Sequence, residues 1–122
     1  SAGQNEGLSY RFRDFLVSQA VDIIQPNVII TGGVTQCLRI AGMASAFNVL
    51  ISNGGGAPLH NGHFQAGVTN GTAVEYQYNA VAACDVLYGV KPVHENGCMV
   101  LGEDPGFGLQ PKEEVIKYAA DL

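Results

Sequence analysis

Cysteine, basic residues and long apolar runs are all scarce in this sequence, and each shortage excludes a class of protein. The three cysteines, Cys37, Cys84 and Cys98, are far apart and form no CxxC pair, which fits neither a disulfide framework nor a zinc site. Lysine and arginine total 6 against 11 aspartate and glutamate residues, so the basic face that nucleic acid or an anionic membrane requires is missing. No stretch approaches the roughly 20 apolar residues of a membrane span. We therefore expect a cytoplasmic protein whose partners are small molecules and other proteins.

An initiating methionine is also missing, and the chain is short. Its 122 residues, 47% hydrophobic and 14% charged, are enough for one domain with a sizeable core. Residues 1–4 are predicted to form the end of a strand. We therefore expect further sequence upstream.

Short apolar runs recur along the first part of the chain and predict buried strands. They cover residues 21–25, 49–52 and 73–77, and a fourth strand is predicted to end at residues 1–4. Successive runs begin at intervals of about 24 to 28 residues, which is typical of strands joined by crossover helices to parallel neighbours. Near-continuous apolar strands are expected where both faces of a parallel sheet are covered. The pattern predicts a parallel α/β fold.

Helical periodicity fills the intervals between these strands. The first stripe consists of Leu8, Phe12, Phe15, Leu16 and Ala20. A second helix is predicted from Thr35, as N-cap, to about Phe47. Its inward positions are predicted to be Cys37, Leu38, Ala41 and Ala44 or Ser45. We divide the chain into repeated βα units over residues 1–88 and a tail over residues 89–122, with short β pieces and a helix over 111–120.

Polar residues stand where the predicted strands end, and this is where parallel βα units place their functional groups. Alternation along a strand would place Gln4 and Glu6 on one face, from which either could reach a metal ion. Glu75 would share its face with Ala73 and Gln77. A solvated glutamate at a strand end is an equally good interpretation of Glu75.

The segment after the second apolar run offers two further candidate groups. Residues 53–56 (NGGG) would let backbone N–H groups approach a ligand closely, although glycines in a tight turn form the same pattern. His60 and His63 stand three residues apart and could act as a general base or as a donor to a sugar hydroxyl. A surface or helix-capping role is the alternative for both histidines.

Several segments, taken in order, resemble the mandelate racemase and muconate-lactonizing branch of the enolase superfamily. Residues 20–27 (AVDIIQPN), 31–35 (TGGVT) and 40–48 (IAGMASAFN) are similar to the family's sixth strand, loop and helix. Residues 53–60 (NGGGAPLH) resemble the seventh-strand loop, 74–76 (VEY) the eighth strand, and 103–109 (EDPGFGL) the closing tail. The resemblance implies the C-terminal portion, about strands 5/6 to 8, of a TIM-type (β/α)8 barrel, followed by an irregular tail.

The resemblance also implies chemistry on a small carboxylate or acid sugar. Family members such as sugar-acid dehydratases and racemases abstract the proton alpha to a carboxylate and stabilise the product on Mg²⁺. Three carboxylates at consecutive strand ends hold that ion, and only the third would lie in this chain. Gln4 stands where the family has glutamate. We therefore predict Glu6 as the substitute ligand, with Gln4 contributing a neutral oxygen.

Other positions depart from the family pattern. The usual aspartate and histidine of the general-base dyad are replaced by Asn27 and by Asn53 or Gly54. We assign these three residues and His63 to substrate binding. Glu75 matches the eighth-strand glutamate that hydrogen-bonds the substrate carboxylate, and His60 is predicted to assist the departure of hydroxide.

The catalytic lysine and the first two metal ligands that the resemblance implies are not among these residues. The chain is therefore interpreted as the C-terminal fragment of a Mg²⁺-dependent lyase or isomerase, inactive alone and forming a homo-oligomer. The alternative is a non-catalytic barrel fragment that oligomerises or binds a partner through its open sheet edges.

Overall fold

The computed structural model describes residues 1–121, in which five helices alternate with short strands. The first four helices are α1 (Leu8–Val17), α2 (Val34–Ala46), α3 (Pro58–Ala66) and α4 (Tyr78–Tyr88), and the last is α5 (Glu113–Ala120). The strands are β1 (Ile23–Ile24), β2 (Leu50–Asn53), β3 (Gly71–Val74), β4 (Val93–Glu95) and β5 (Cys98–Val100). None of the helices within residues 1–121 has the length and apolar character to cross a membrane.

The first three strands form one parallel sheet in the order β1-β2-β3. Ile24 is in register with Ile51 of β2, and Ile51 with Gly71 of β3. Ala2 makes a single parallel bridge to Ile24, so the strand predicted over residues 1–4 is reduced to one pairing. Because α2 connects β1 to its parallel neighbour β2 and α3 connects β2 to its parallel neighbour β3, the α/β prediction is confirmed.

Helices α1 to α3 pack their apolar side chains against one face of this sheet. The buried cluster contains Phe12 and Leu16 of α1, Cys37, Ile40, Ala41 and Ala44 of α2, and Phe64 of α3, together with Ile24, Val28 and Ile51. These positions follow the helical repeat on the helices and alternate on the strands. The core therefore fixes the sheet relative to the helices and holds the strand ends in place.

In the part of the chain that the structure describes, the side chains on the opposite face of the sheet lie outside this buried cluster. Ile23 pairs with Leu50, and Ser52 pairs with Ala73, so these side chains share that face. Leu50 is 45% exposed, whereas the neighbouring Ile51, which points toward the helices, is fully buried. An apolar side chain is thus presented on the uncovered face.

Several predicted boundaries differ from the structure. Helix α2 begins at Val34 with Gly33 as its N-cap, at φ 90°, so the prediction of Thr35 as N-cap was wrong. Leu38 is 51% exposed, and Ile40 is fully buried in the core instead. The reason is angular: Ile40 lies one helical turn from Cys37 and Ala44, whereas Leu38 is about 100° away from Cys37. Strand β3 ends at Val74, earlier than the predicted residue 77.

The tail forms a hairpin and a short terminal helix. β4 and β5 pair antiparallel around Asn96 and Gly97, which both have positive φ, as the turn-like Glu-Asn-Gly sequence suggests. Helix α5 begins at Glu113, two residues after the predicted start at 111, and buries none of its residues. The tail therefore contributes little to the core.

Candidate functional site

The chain leaves the first strand pairing in a turn at residues 3–6. The backbone N–H of Glu6 donates to the carbonyl of Gly3 at 3.0 Å, and Gly3 has φ 117°. A Cβ on Gly3 would lie 2.6 Å from Cε1 of Phe12, so only glycine fits here. Because Gln4 lies in this turn, the predicted alternation that would place Gln4 and Glu6 on one strand face was wrong.

Three polar side chains from separate strand ends meet around Gly54. A Cβ built on Gly54 would lie 2.9 Å from Nε2 of Gln25, 3.2 Å from Oε1 of Gln4 and 3.3 Å from Oε2 of Glu75. Gln4 follows the Ala2 bridge, Gln25 follows β1 and Glu75 follows β3. Because Gly54 has no side chain, an amide donor, an amide acceptor and a carboxylate can approach its buried backbone closely. We call Gln4, Gln25, Gly54 and Glu75 the mouth cluster.

The carboxylate of Glu75 is held by N–H donors. Its Oε2 accepts from the backbone N–H of Gly55 at 2.6 Å and from Nε2 of Gln77 at 3.0 Å. The prediction that Glu75 and Gln77 share a strand face assumed a strand through residue 77, whereas β3 ends at Val74 and Gln77 is the N-cap of α4. Hydrogen bonds to an ionised acceptor are short and strong, so these donors orient the carboxylate beside Gly54.

Glu6 is engaged by a helix instead. Its Oε2 lies 3.0 Å from Nε of Arg11 on α1, and this hydrogen bond and charge raise the pKa of Arg11. The hydroxyl of Thr31 donates to the carbonyl of Glu6 at 3.1 Å, which fixes its backbone as well. Among residues 1–121, no three His, Cys, Asp or Glu side chains lie close enough together to hold a metal ion. The assignment of Glu6 and Gln4 as metal ligands stays a prediction.

Two buried asparagines brace the loop that carries Gly54. Nδ2 of Asn27 donates to the carbonyls of Gly54 at 2.9 Å and Gly55 at 2.7 Å, and Nδ2 of Asn53 donates to the carbonyl of Pro26. A carboxylate at position 27 could not donate to either carbonyl, so the amide is required by this loop. Both residues lie beside the mouth cluster, as expected, but their amide groups contact backbone. Substrate binding by Asn27 and Asn53 stays a prediction.

The sequence reasoning missed Asn61 and Gln25. Oδ1 of Asn61 accepts from the N–H of Val28 at 2.9 Å, and its Nδ2 donates to the carbonyl of Gly56 at 2.6 Å, so it ties two loops together. The sequence could have indicated Asn61, because this polar residue lies three residues from both Pro58 and Phe64 and therefore on the same helical face as these apolar residues. For Gln25, the signal was its position at the end of an apolar run, two residues after Ile23.

The two histidines lie apart from Glu75, in contact with the tail. The rings of His60 and His63 pack on Phe107 with centroid separations of 4.8 and 5.7 Å. Burial, with a smaller contribution from the charge of His63, lowers the pKa of His60. His60 lines a cleft of about 440 Å³ between α3 and α4, together with Gly55, Gly56 and Tyr88. The catalytic role of His60 and the substrate-binding role of His63 stay predictions.

Comparison with known protein families gives one match along nearly the whole chain. The model of the enolase C-terminal domain-like family covers residues 1–115. A curated relative, the L-rhamnonate dehydratase of Saccharopolyspora erythraea, is 31% identical over 94% of this chain and 31% of its own length. The chain thus spans about a third of the length of this relative.

Solved structures share the fold over a similar extent. A mandelate racemase/muconate lactonizing enzyme from a marine actinobacterium, in complex with magnesium, superposes with a TM-score of 0.80 at 24% identity, over 95% of this chain and 33% of that one. The L-talarate dehydratase of Polaromonas sp. JS666, complexed with Mg and L-glucarate, gives a TM-score of 0.84 at 21% identity, over 96% and 31%. At sequence identities of 24% and 21%, these similarities establish a shared fold.

Proposed function

Because this chain belongs to the enolase C-terminal domain-like family, we propose that it forms the C-terminal portion of a (β/α)8 barrel in a sugar-acid dehydratase-like enzyme. The family match confirms the resemblance inferred from the sequence motifs. The relatives named L-rhamnonate dehydratase and L-talarate dehydratase suggest an acid sugar or another small carboxylate as substrate. We place the activity in the full-length protein that contains this chain, and residues 1–88 in its barrel.

The sheet supports the barrel part of this proposal. Its strands follow one another in sequence order, and helices α1 to α3 cover one face only. A doubly wound sheet reverses its strand order and carries helices on both faces, whereas a barrel keeps the order and encloses the other face. The uncovered face with Leu50 would then line the barrel interior.

The meeting of Gln4, Gln25 and Glu75 around Gly54 is the observation that carries the proposed function. These groups lie at the carboxyl ends of neighbouring strands, where barrel enzymes bind their substrates. The side chains of Gln4, Gln25 and Glu75 surround the buried Gly54, and the amide of Asn27 holds its loop through two carbonyls. We propose that the substrate contacts Gly54 and Glu75, while Asn27 and Asn53 position this loop.

Each residue of the cluster has a distinct task in this proposal. The carboxylate of Glu75, whose Oε2 is held by Gly55 and Gln77, hydrogen-bonds the substrate through its other oxygen beside the reacting carbon. The carboxamides of Gln4 and Gln25 can donate to and accept from substrate hydroxyls. His60, which lines the cleft next to Gly55 and Gly56, would assist the departure of hydroxide, and His63 would contribute to substrate binding. A base that removes the alpha proton would come from outside this chain.

Magnesium, which the family resemblance implies, does not fit the residues of this chain as they are arranged. Mg²⁺ prefers oxygen ligands that include one or two carboxylates. The Glu6 carboxylate is paired with Arg11, and Oε2 of Glu75 already accepts two hydrogen bonds. A magnesium-dependent reaction of the complete enzyme would therefore need ligands from residues outside this chain. We assign no reaction step to the ion.

The test is turnover of acid sugars by the full-length protein. L-Rhamnonate, L-talarate and glucarate are offered, and formation of a 2-oxo acid is followed. Glu75→Gln is expected to lower kcat/KM by at least about a hundredfold, because the charged acceptor beside Gly54 is lost. Glu95→Gln, which changes an exposed carboxylate in β4, serves as the matched control. Equal activity of the two variants would contradict the role of Glu75.

A second candidate function, association without catalysis, is favoured by the uncovered sheet face. Leu50 on that face is 45% exposed, and Thr72 and Ala73 are exposed in β3, which forms one end of the three-stranded sheet. Exposed strand edges pair readily with other chains. Under this proposal the 122-residue chain forms a homo-oligomer or binds a partner, and light scattering shows a mass that rises with concentration. Leu50→Lys should reduce the association; a monomer at all concentrations would exclude self-association.

A further inference from the structure

Residues 98–112 of the tail, which we call the strap, run across helices α3 and α4. A Cβ built on Gly62 of α3 would lie 2.9 Å from the sulfur of Met99, so the strap passes directly over this glycine. At its other end, the backbone N–H of Lys112 donates to the carbonyl of Leu87 in α4 at 2.9 Å. Neither of these two contacts involves a group that titrates near neutral pH.

A third contact lies between them and is made by Phe107, which a tight turn presents to α3. Gly106 and Gly108 on either side have φ of 71° and 65°, and both are exposed, whereas Phe107 is half-buried. The centroid of its ring lies 4.8 Å from that of His60 and 5.7 Å from that of His63. Two of the three histidines of the chain therefore meet at one contact of the strap.

The Nδ1 atom of His60 is buried and has no hydrogen-bond partner among residues 1–121. A neutral ring can leave this nitrogen as an unused acceptor, but a protonated ring carries an N–H group on both nitrogens. A buried N–H group without an acceptor is costly, and so is a charge held away from water. Protonation of His60 therefore conflicts with docking of the strap on its ring.

The groups that face His60 do not relieve this conflict. The ring of Tyr88 in α4 lies 6.1 Å away, Cys84 of α4 lines the same cleft, and the strap contributes the uncharged Phe107. No carboxylate within residues 1–121 pairs with His60, and His63 adds a like charge when it is protonated. An aromatic ring attracts a cation. Burial nevertheless lowers the pKa of His60, with a smaller contribution from His63.

We propose that the strap is a pH-sensitive device, in which Phe107 docks on α3 while His60 is neutral and is released when His60 binds a proton. By linkage, the docked strap must in turn oppose the protonation of His60 to the same extent. Docking should weaken as the pH falls through the ordinary histidine range, because the released state binds the extra proton. This coupling does not depend on the substrate, and it holds whether or not His60 takes part in a reaction.

The first arm of the test measures hydrogen exchange of the Lys112 amide in the full-length protein at about pH 7.5 and about pH 5.5. Dividing the intrinsic rate by the observed rate at each pH removes the chemical effect of pH on exchange. The protection of this amide should be lower at the acidic pH by at least about threefold in the wild type and in His94→Gln, the matched control. In His60→Gln it should stay constant within about 1.5-fold.

The amide of Ile51, which donates to the carbonyl of Asn70 at 2.9 Å, reports the sheet and should keep the same protection at both pH values. Equal protection of Lys112 at the two pH values in the wild type would overturn the inference. A pH dependence that survives in His60→Gln would overturn it as well, because another group would then control the strap.

The second arm follows the Cε1–H signal of His60 by NMR, which is assigned through its loss in His60→Gln. Phe107→Ala should raise the titration midpoint of His60 toward its midpoint in the urea-unfolded protein, and Phe107→Leu, which keeps an apolar side chain, should raise it less. Ile116→Ala, at an exposed position of α5 outside the strap, is the control and should leave the midpoint unchanged. Thermal melting confirms that each variant is folded. An unchanged midpoint in Phe107→Ala would show that the strap and the proton are not coupled, and would overturn the inference.

Discussion

The segment with the parallel sheet and the tail differ in how they use their apolar residues. Phe12 is fully buried and Leu16 is 2% exposed in α1, and Ile40 of α2 is fully buried. In α5, by contrast, Ile116 is 56% and Tyr118 is 69% exposed. Burial of apolar area is the main source of stability, so the stability of this chain must reside in the sheet and its helices.

Specific contacts attach the tail to the helices α3 and α4. Phe107 packs on His60 and His63, and the backbone N–H of Lys112 donates to the carbonyl of Leu87 at 2.9 Å. Met99 of β5 approaches Gly62 so closely that a Cβ there would lie 2.9 Å from its sulfur. The tail thus covers helix α3 and the end of α4 and supplies no member of the mouth cluster.

The largest expected effect is in the core. Phe12→Ala should lower the free energy of unfolding by about 3 to 5 kcal/mol, because it removes a fully buried ring and leaves a cavity. Ile116→Ala in α5 is the matched change in the tail and should cost less than about 0.5 kcal/mol. Urea unfolding of both variants measures the difference. Similar losses would show that the tail belongs to the core.

A smaller effect is expected at the braced loop. Asn27→Ala should cost about 1 to 3 kcal/mol, because it leaves the carbonyls of Gly54 and Gly55 without their donor. Asn5→Ala, at an exposed position in the preceding turn, is the control. Urea unfolding gives the energies, and the NMR shift of the Gly55 amide reports the loop. An unchanged Gly55 signal in Asn27→Ala would contradict the bracing role.

The contact between the two regions should produce a pH dependence. Burial lowers the pKa of His60, so the native state binds fewer protons at this site than the unfolded state does. Stability should therefore fall as the pH drops through the ordinary histidine range, from about 7 to 5. His60→Gln should flatten this dependence, and Phe107→Ala should weaken it by exposing the ring. Thermal melts over this range check the slope, and His94→Gln in β4 should leave it unchanged.

The smallest expected effect concerns the reactivity of the cysteine thiols in the two regions. Cys98 in β5 is exposed, whereas Cys37 is fully buried and burial raises its pKa to about 11. Burial also raises the pKa of Cys84. A thiol-specific reagent at neutral pH should modify Cys98 at least about a hundredfold faster than the other two, because they react only after local opening. Mass spectrometry of peptides would reveal any other order.

Much of the fold followed from the spacing of apolar residues. The repeat of strand and helix predicted parallel βα units, and α1, α2 and the tail helix lie within a few residues of their predicted positions. The prediction of the fold failed at positions where a single residue sets the direction of the chain or of a side chain. Gly3 turns the chain before Gln4, and the helix period favours Ile40 over Leu38.

The candidate site was predictable only in part. Gln4, Asn27, Gly54 and Glu75 were recognised because they stand at strand ends, and the structure places Gln4 and Glu75 around Gly54. Glu6 was expected beside them, but Arg11, five residues away in the sequence, holds it on α1. The bracing role of Asn61 depends on Val28, which is 33 residues distant, so no local pattern indicated it.

The sequence by itself determined the fold class, because apolar periodicity selects the secondary structure and its burial, and it determined the family, because several motifs occur in the right order. Only the tertiary structure decided which polar atoms meet. Gln4, Gln25 and Glu75 come from three separate strand ends, and their approach to Gly54 depends on sheet register and on turn geometry at single residues. Hydrogen-bond direction is a property of those positions in space, which residue spacing along the chain does not specify.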